Sequence, residues 1–274
     1  MPADLHTHTT ASDGTSPPAE LVYLAQKMGL EALGITDHDT VAGIPAAQSA
    51  AAKCGILLVP GVELNTDDNG VEVHILGYYP DLHAPSLLTA LSALRQARTA
   101  RVKYILDKLA AIGLPLEETR VFAIAGSGSV GRPHIAQAMQ EKGYVADIKD
   151  AFNRYIGVGQ PAYVDRYKLT PQEGIEIIRQ AKGIAVLAHP GLIGRDELLP
   201  KFIKAGLQGI EVYHSSHSAA MEAKYANLAL ELNLAITGGS DYHGGGRKAG
   251  VELGQPSVSM ATVYSLMQFK EEIG

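Results

Sequence analysis

Short apolar runs recur along the chain, and most give way to a knot of histidine and acidic side chains. The runs Ala3–His8, Ala32–Thr36, Ile56–Leu64, Val71–Tyr78, Ala185–Ala188, Gly209–Tyr213 and Ala235–Gly238 have the length and residue types of strands. Helical patterns fill the gaps over Pro18–Met28, Val41–Cys54, Pro171–Ala181, Asp196–Ala205 and Ser218–Leu232. Pro18 suits a first helical turn and Gly29 a helix stop. Thr170-Pro171 with Glu173 reads as a cap, a first-turn proline and an acid near the helix dipole. This alternation predicts an α/β fold of βα units. In a barrel of that kind chemistry sits on the loops after the strands, where these polar knots lie.

The middle of the chain breaks the alternation. Leu87–Ile112 reads as one long amphipathic helix, followed by helical segments over Arg132–Lys142 and Val145–Asn153. The next strand pattern is Gln160–Val164. The pattern predicts a small, mostly helical insertion at 99–165, between a first barrel part at 1–98 and a second at 166–274.

Composition removes several classes. The 274 residues suit one large α/β domain with an insertion, and 46% apolar residues can build its core. One cysteine excludes a disulfide framework and a CxxC zinc site. A formal charge of −6 argues against broad nucleic-acid binding, and long duplexes are not expected as partners. Arg95, Arg98 and Arg101, three residues apart, read as a solvated helix face. No run reaches the roughly 18 apolar residues of a membrane span, so no membrane partner is expected. The N-terminal MPADLHTH lacks a basic stretch followed by an apolar one, and the expected location is cytoplasmic.

His6-Thr7-His8 ends the first run, and side chains two apart on a strand share a face, so both imidazoles can reach one ion. Asp37-His38-Asp39 follows the second run; alone it is a turn. Glu63 is a carboxylate in an apolar strand and needs a salt-bridge partner or an ion. His74 shares a strand face with Glu72, which by itself fits a solvated face. His189 is aimed at a strand tip by Pro190, and Asp241 and His243 are again two apart. Singly each has an ordinary structural explanation; collectively they read as a metal site. His134, in GRPHIA, falls in the insertion, and His214 and His217 follow a strand. His83 reads as a surface residue and Cys54 as a small, inert one. Gly126–Arg132 lacks the Lys-Ser/Thr of a phosphate loop, and 244–248 lacks the following helix, so both read as turns. Arg132, Arg154, Lys168, Arg247 and Lys248 are the cations available to an anionic substrate.

The ordered set HTH, TASDG, ITDHD, GVE, VHILGY, AHPG and SDYH, from His6 to His243, resembles the polymerase and histidinol phosphatase (PHP) family. The resemblance implies a distorted (β/α)7, TIM-like barrel holding two or three divalent ions at strand C-termini. GRPHIA, FNRYIG and QPAYV resemble the branch that hydrolyses nucleoside 3′,5′-bisphosphates and trims short RNA from its 5′ end. Carried over, one ion takes His6, His8, Glu63 and Asp241; a second shares Glu63 and takes His74 and His134; a third takes Asp13, His38 and His243. His189 is a further ligand or a proton donor. Histidine with carboxylate suits Mn, Fe or Zn.

The implied reaction is attack on phosphorus by a hydroxide bridging two ions. Arg132 steadies the phosphate, His189 or His214 protonates the leaving alkoxide, and the insertion caps the site with Tyr155 and Tyr163 available for stacking. The expected substrate is a small anionic nucleotide or a short oligonucleotide. The alternative is a small-molecule phosphomonoesterase of histidinol-phosphatase type, which the insertion disfavours. A non-enzymatic binding module fits poorly, because no mapped motif position is lost. Three divalent cations cancel the formal −6, so attraction for an anion is local to the metals.

Overall fold

Residues 2–126, 130–165, 167–245 and 250–273 are described by a computed structural model. The chain divides into two compact units, Met1–Leu91 with Lys168–Gly274, and Ser92–Tyr167.

In the first unit β1 (Pro2–Asp4) leads to α1 (Pro18–Lys27), β2 (Ala32–Ile35) and α2 (Ile44–Cys54). Pro18 does open α1, whose Leu21, Val22 and Ala25 are buried. Gly55, in the left-handed region at φ 75°, stops α2. Then come β3 (Leu57–Asp68) and β4 (Val71–Tyr78), joined at Asn69 (φ 55°) and Gly70 (φ 91°). Both positive φ values match the Asn-Gly hairpin turn that fits strand twist. In this turn β3 runs past Glu63 to Asp68, so the carboxylate is inside the strand rather than at its end.

A long helix, α3 (Pro85–Ala111), carries the chain across the division between the units. It ends before Ile112, which is 44% exposed and not part of an apolar face. The second unit continues with α4 (Glu118–Ala125), α5 (Arg132–Glu141) and α6 (Ile148–Ala151), then a π-helical turn at Phe152–Ile156. Its core is formed by Val102, Ile105, Leu109, Val121, Ile135, Met139 and Ile156 among others. Asp147 caps α6, its carboxylate accepting from the Asp150 N–H at 2.8 Å, and this sets the helix start three residues later than the apolar pattern does. The strand expected at Gln160–Val164 is absent. Tyr163 N–H bonds the Gln160 carbonyl in a turn, and the carbonyls of Tyr163 and Val164 accept from Lys108 Nζ (2.6 Å) and Arg101 Nε (2.8 Å). Side chains thus take the acceptors that a partner strand would have used.

The first unit resumes with α7 (Pro171–Gln180), begun by a capping box in which Thr170 and Glu173 satisfy each other's backbone N–H. After it come β5 (Ile184–Leu187), α8 (Pro190–Ile193), a 3₁₀ turn (Asp196–Leu198), α9 (Leu199–Lys204), β6 (Gly209–His214) and α10 (Ala219–Glu231). The expected helix Asp196–Ala205 is divided, with Pro200 in the first turn of α9, where its missing N–H costs least. Last are β7 (Ala235–Gly239), β8 (Val258–Ser259) and α11 (Met260–Ile273).

The strand order is β7-β6-β5-β4-β3-β2-β1-β8. Neighbours are parallel except β4, antiparallel to both β3 and β5, and β8, antiparallel to β1. The sheet curls towards closure through the chain beyond β1: Leu5 N–H bonds the Gly238 carbonyl (3.2 Å), Asp241 N–H the His6 carbonyl (2.9 Å), and His8 N–H the Tyr242 carbonyl (2.8 Å). The result is a distorted, nearly closed α/β barrel. One apolar cluster gathers Ala3, Leu5, Val59, Leu76, Tyr78 and Val186 with Val263 and Leu266 of α11. A second packs α1 and α2 on Leu33 and Ile35.

The strand just past β1 lies so close to β2 that a Cβ on Gly34 would run into the Leu5 carbonyl. Gly34→Ala should therefore cost about 1–3 kcal/mol by overpacking. The check is a fall in the urea unfolding midpoint; an unchanged midpoint would show that the two strands separate freely.

Candidate metal centre

Strands of the first unit and the segments that follow them bring ligand-type side chains to one place, and the centre of that place is Glu63. Its Oε2 lies 3.3 Å from His6 Nε2, 3.2 Å from His8 Nε2 and 3.1 Å from His38 Nδ1. Its Oε1 lies 2.8 Å from His74 Nδ1 and 3.1 Å from His189 Nε2. Asp241 faces the same group from the far side of the barrel seam, with Oδ1 3.1 Å from His8 Nε2, 3.5 Å from His6 Nε2 and 3.4 Å from His243 Nδ1. Its Oδ2 lies 3.5 Å from His214 Nε2. Asp13 completes the rim, 3.4 Å from His243 Nε2, and the rings of His8 and His243 stack at 4.0 Å.

Further carboxylates hold the ligand-bearing segments without meeting the cluster. Asp4, fully buried, accepts from the N–H of His6 (3.2 Å), Ser240 (2.9 Å) and Gly254 (2.8 Å) and from the Ser240 hydroxyl (2.5 Å). Burial raises its pKa, and these bonds oppose the rise. Asp37 accepts from Thr9 N–H and Oγ1 (both 2.7 Å) and Ser12 Oγ (2.6 Å), and so fixes the loop that carries Asp13. Asp39, at φ 53°, accepts from Asn65 N–H and Nδ2, both at 3.0 Å. Within Asp37-His38-Asp39, therefore, the histidine faces the cluster and the two acids brace it. The apolar-run signal that picked out Glu63 also marks Asp4 and Glu211, which the sequence reading passed over.

Four groups of side chains have ligand atoms within 4.8 Å of one another: His6, His8, Glu63 and Asp241; His8, Asp13, His38 and His243; His38, Glu63 and His74; and His6, Glu211 and His214. Among the described residues, buried His6 Nε2, both His8 nitrogens, Glu63 Oε2, His189 Nδ1 and His214 Nε2 make no hydrogen bond. Such a concentration of unsatisfied buried donors and acceptors is costly for a protein interior. Divalent cations resolve it, since neutral imidazole and carboxylate lone pairs are what they bind. The residues thus fit a metal centre.

The charges point the same way. Burial favours protonation of Glu63, yet the imidazoles around it, His38, His6 and His74 foremost, hold its pKa well below the usual carboxylate range. Asp241 is likewise depressed against its burial, chiefly by His6, His214 and His8. Burial disfavours a charged His8 or His74, but the carboxylates prevail and raise them to about 9 and about 10. His38 loses the same contest, burial and the neighbouring His8 and His74 outweighing Glu63, and falls to about 3. Burial also lowers His189.

Three of the cations foreseen for substrate are engaged by neighbours in their own units. Lys168 Nζ bonds Asp67 at 2.9 Å. In the second unit Arg132 bonds the Ile156 carbonyl (3.3 Å) with its guanidinium 5.3 Å from the Phe152 ring centre and 5.7 Å from that of Tyr163. Arg154 bonds Asp150 (3.1 Å) and the Tyr155 hydroxyl (2.6 Å). His134 Nδ1 accepts from Gly131 N–H at 3.0 Å at the start of α5, and His134 is in none of the four groups above. Arg247 and Lys248 lie outside the described residues, as does part of Gly126–Arg132. His217 is fixed by two backbone contacts, Nδ1 donating to the Val212 carbonyl (2.8 Å) and Nε2 accepting from Gly191 N–H (3.1 Å). No described helix is long and apolar enough to cross a membrane.

The family model described as "PHP domain" matches residues 4–235. The chain belongs to the PHP domain family. It is 35% identical to the 5′-3′ exoribonuclease Rnm of Salmonella typhimurium over 88% of this chain and 84% of that one. It is 34% identical to a 3′,5′-nucleoside bisphosphate phosphatase of Chromobacterium violaceum, over 90% of each. It is 33% identical to a phosphoribosyl 1,2-cyclic phosphate 1,2-diphosphodiesterase of Eggerthella lenta, over 89% of this chain and 95% of that one. A solved structure assigned as a metal-dependent phosphoesterase, from Bifidobacterium adolescentis, superposes with a TM-score of 0.84 at 32% identity, over 97% of this chain and 95% of that one. This PHP-domain chain is a metal-dependent phosphoester hydrolase.

Its metal-free form should carry a pH signature. Folded His8 and His74, at about 9 and about 10, bind protons more tightly than an unfolded imidazole near 6.5. The stability they add is complete below about 6.5 and is lost as pH rises through 9 and 10. Glu63 and Asp241 are ionised throughout that window and contribute no slope. The melting temperature of metal-free protein should therefore fall between pH 7 and 10, and saturating Mn²⁺ should abolish the fall by replacing protons with cations. A flat or rising profile without metal would contradict the assigned charges.

Proposed function

We propose that this PHP phosphoesterase removes phosphate from nucleoside 3′,5′-bisphosphates and acts on short 5′-phosphorylated oligoribonucleotides, in the cytoplasm. The observation that carries the reading is the shared carboxylate: Glu63 belongs to two of the four ligand groups at once, which suits paired cations on one phosphate. His6, His8, Asp13, His38, Glu63, His74, His134, His189, Asp241 and His243 are the assigned ligands for two or three ions of Mn, Fe or Zn. Bound, the ions supply Lewis acidity that acidifies water and neutralises phosphate charge.

The chain's own part includes the proton for the leaving group. Ser216 N–H donates to His214 Nδ1 at 3.1 Å, so a neutral His214 carries its hydrogen on Nε2. That atom faces Asp241 and is a ready-made donor to the oxygen released when the P–O bond breaks. His189, whose Nε2 lies 3.1 Å from Glu63 Oε1, serves as ligand or, with its hydrogen on Nε2, as the alternative donor. Arg132, Arg154, Lys168 and Arg247 are assigned to substrate. Lys168 and Arg154 already bond carboxylates, so Arg132, bonded to a carbonyl, keeps more of its charge for phosphate.

The test is phosphate release with Mn²⁺ from adenosine 3′,5′-bisphosphate, mononucleotides, short 5′-phosphorylated RNA, a ribose cyclic phosphodiester and histidinol phosphate. The bisphosphate should be turned over fastest. Glu63→Gln should reduce kcat by at least about 100-fold, the upper end of what loss of a mere outer-shell partner costs. Equal or better turnover of histidinol phosphate would favour the small-molecule reading, and preference for the cyclic ester would align the chain with its Eggerthella relative.

A further inference from the structure

Glu211 is fully buried, on β6 at a point where the register against β7 shifts. It forms a ligand-type group with His6 and His214, yet the geometry denies it an ion. His6 turns Nδ1 to Glu211 Oε1 at 2.9 Å, and an ionised carboxylate can only accept, so Nδ1 carries the hydrogen. His214 Nδ1 is occupied by Ser216 N–H, which puts its own hydrogen on Nε2. Neither ring has a lone pair left to share with Glu211 around a cation. The second carboxylate oxygen, Oε2, accepts from the backbone N–H of His189 at 2.8 Å. His189 sits at φ 27° and ψ 60°, a conformation that persists only where its surroundings hold it.

We propose that Glu211 is a positioning residue that acts on two sides of the metal centre with one side chain. Through Oε1 it keeps the His6 hydrogen on Nδ1, so that the Nε2 lone pair faces Glu63 Oε2 and Asp241 Oδ1. Through Oε2 it holds the His189 turn, which places Nε2 3.1 Å from Glu63 Oε1. The two ring positions are thereby tied to each other across strands far apart in the chain. This rests on the metal-centre reading, but not on which phosphoester is the substrate.

Glu211→Gln keeps the shape and removes one acceptor. An amide can accept from His6 or from His189, not both, and an NH₂ facing His6 drives its hydrogen to Nε2, where the lone pair was needed. The experiment measures Mn²⁺ affinity by chelator competition for the native chain and for Glu211→Gln, with melting temperature, kcat and KM alongside. The variant should bind Mn²⁺ about 10–100-fold more weakly. Its kcat should fall at limiting Mn²⁺ and recover in part with excess, while KM stays near native. Native Mn²⁺ affinity in a folded Glu211→Gln, with only a lower melting temperature, would reduce Glu211 to a structural role and overturn the proposal. A native chain that binds no Mn²⁺ would instead overturn the metal-centre reading, and the proposal with it. Glu211→Asp, which keeps the charge but shortens the reach, should show the same affinity loss; a native-like Asp variant would equally count against the bridge.

Discussion

A buried carboxylate ringed by imidazoles is the interaction on which this barrel turns. Glu63 sits inside a strand with apolar residues on either side, and alone in such a place its charge would be prohibitive. His6, His8, His38, His74 and His189 make it tolerable by standing within about 3 Å. Of these rings His6, His8 and His74 take protons when cations are absent and release them when cations arrive, so the centre exchanges one kind of positive charge for another. The barrel's distortion serves this arrangement. Because β4 runs against its neighbours, His74 reaches Glu63 from the middle of a strand, beside loops that carry His38 and His189.

Around the cluster stands a ring of acids whose oxygens are spent on N–H and O–H groups. Asp4, Asp37, Asp39 and Glu211 each join two segments that the chain brings from different strands. Carboxylate acceptors are stronger than carbonyls, and buried ones resist rearrangement. They keep several loops at fixed separations, which a multi-ion centre demands to within fractions of an ångström.

Much of the barrel is legible along the chain because buried strands and their polar tips differ sharply in residue type. Ala32–Ile35 and Ile184–Leu187 are wholly buried, and apolar runs announce them. The reversal of β4 is written in Asn69-Gly70, a two-residue hairpin turn between two strand patterns, which the alternation of Val71–Tyr78 alone does not disclose. Spacing picks out His6 and His8 as a pair, but their grouping with Glu63 and Asp241 came from family resemblance, because partners so distant in sequence leave no periodic trace. Glu211 was missed beside the more conspicuous His214 and His217, although an acid within an apolar strand is the same sign that exposed Glu63. The turn at Gln160–Val164 misled because Lys108 and Arg101, far away in sequence, take its carbonyls.

The seam that closes the barrel joins opposite ends of the barrel sequence. Asp4 is bound to Ser240 and Gly254, and His6 and His8 share Asp241. During synthesis the first histidines leave the ribosome long before the aspartate they share. The growing chain can hold part of the ligand set, but no complete centre, until β7 and the segment after it, with Asp241 and His243, have emerged. A complete ligand set therefore requires the segment that follows β7, and partial sets made earlier lack Asp241 and His243.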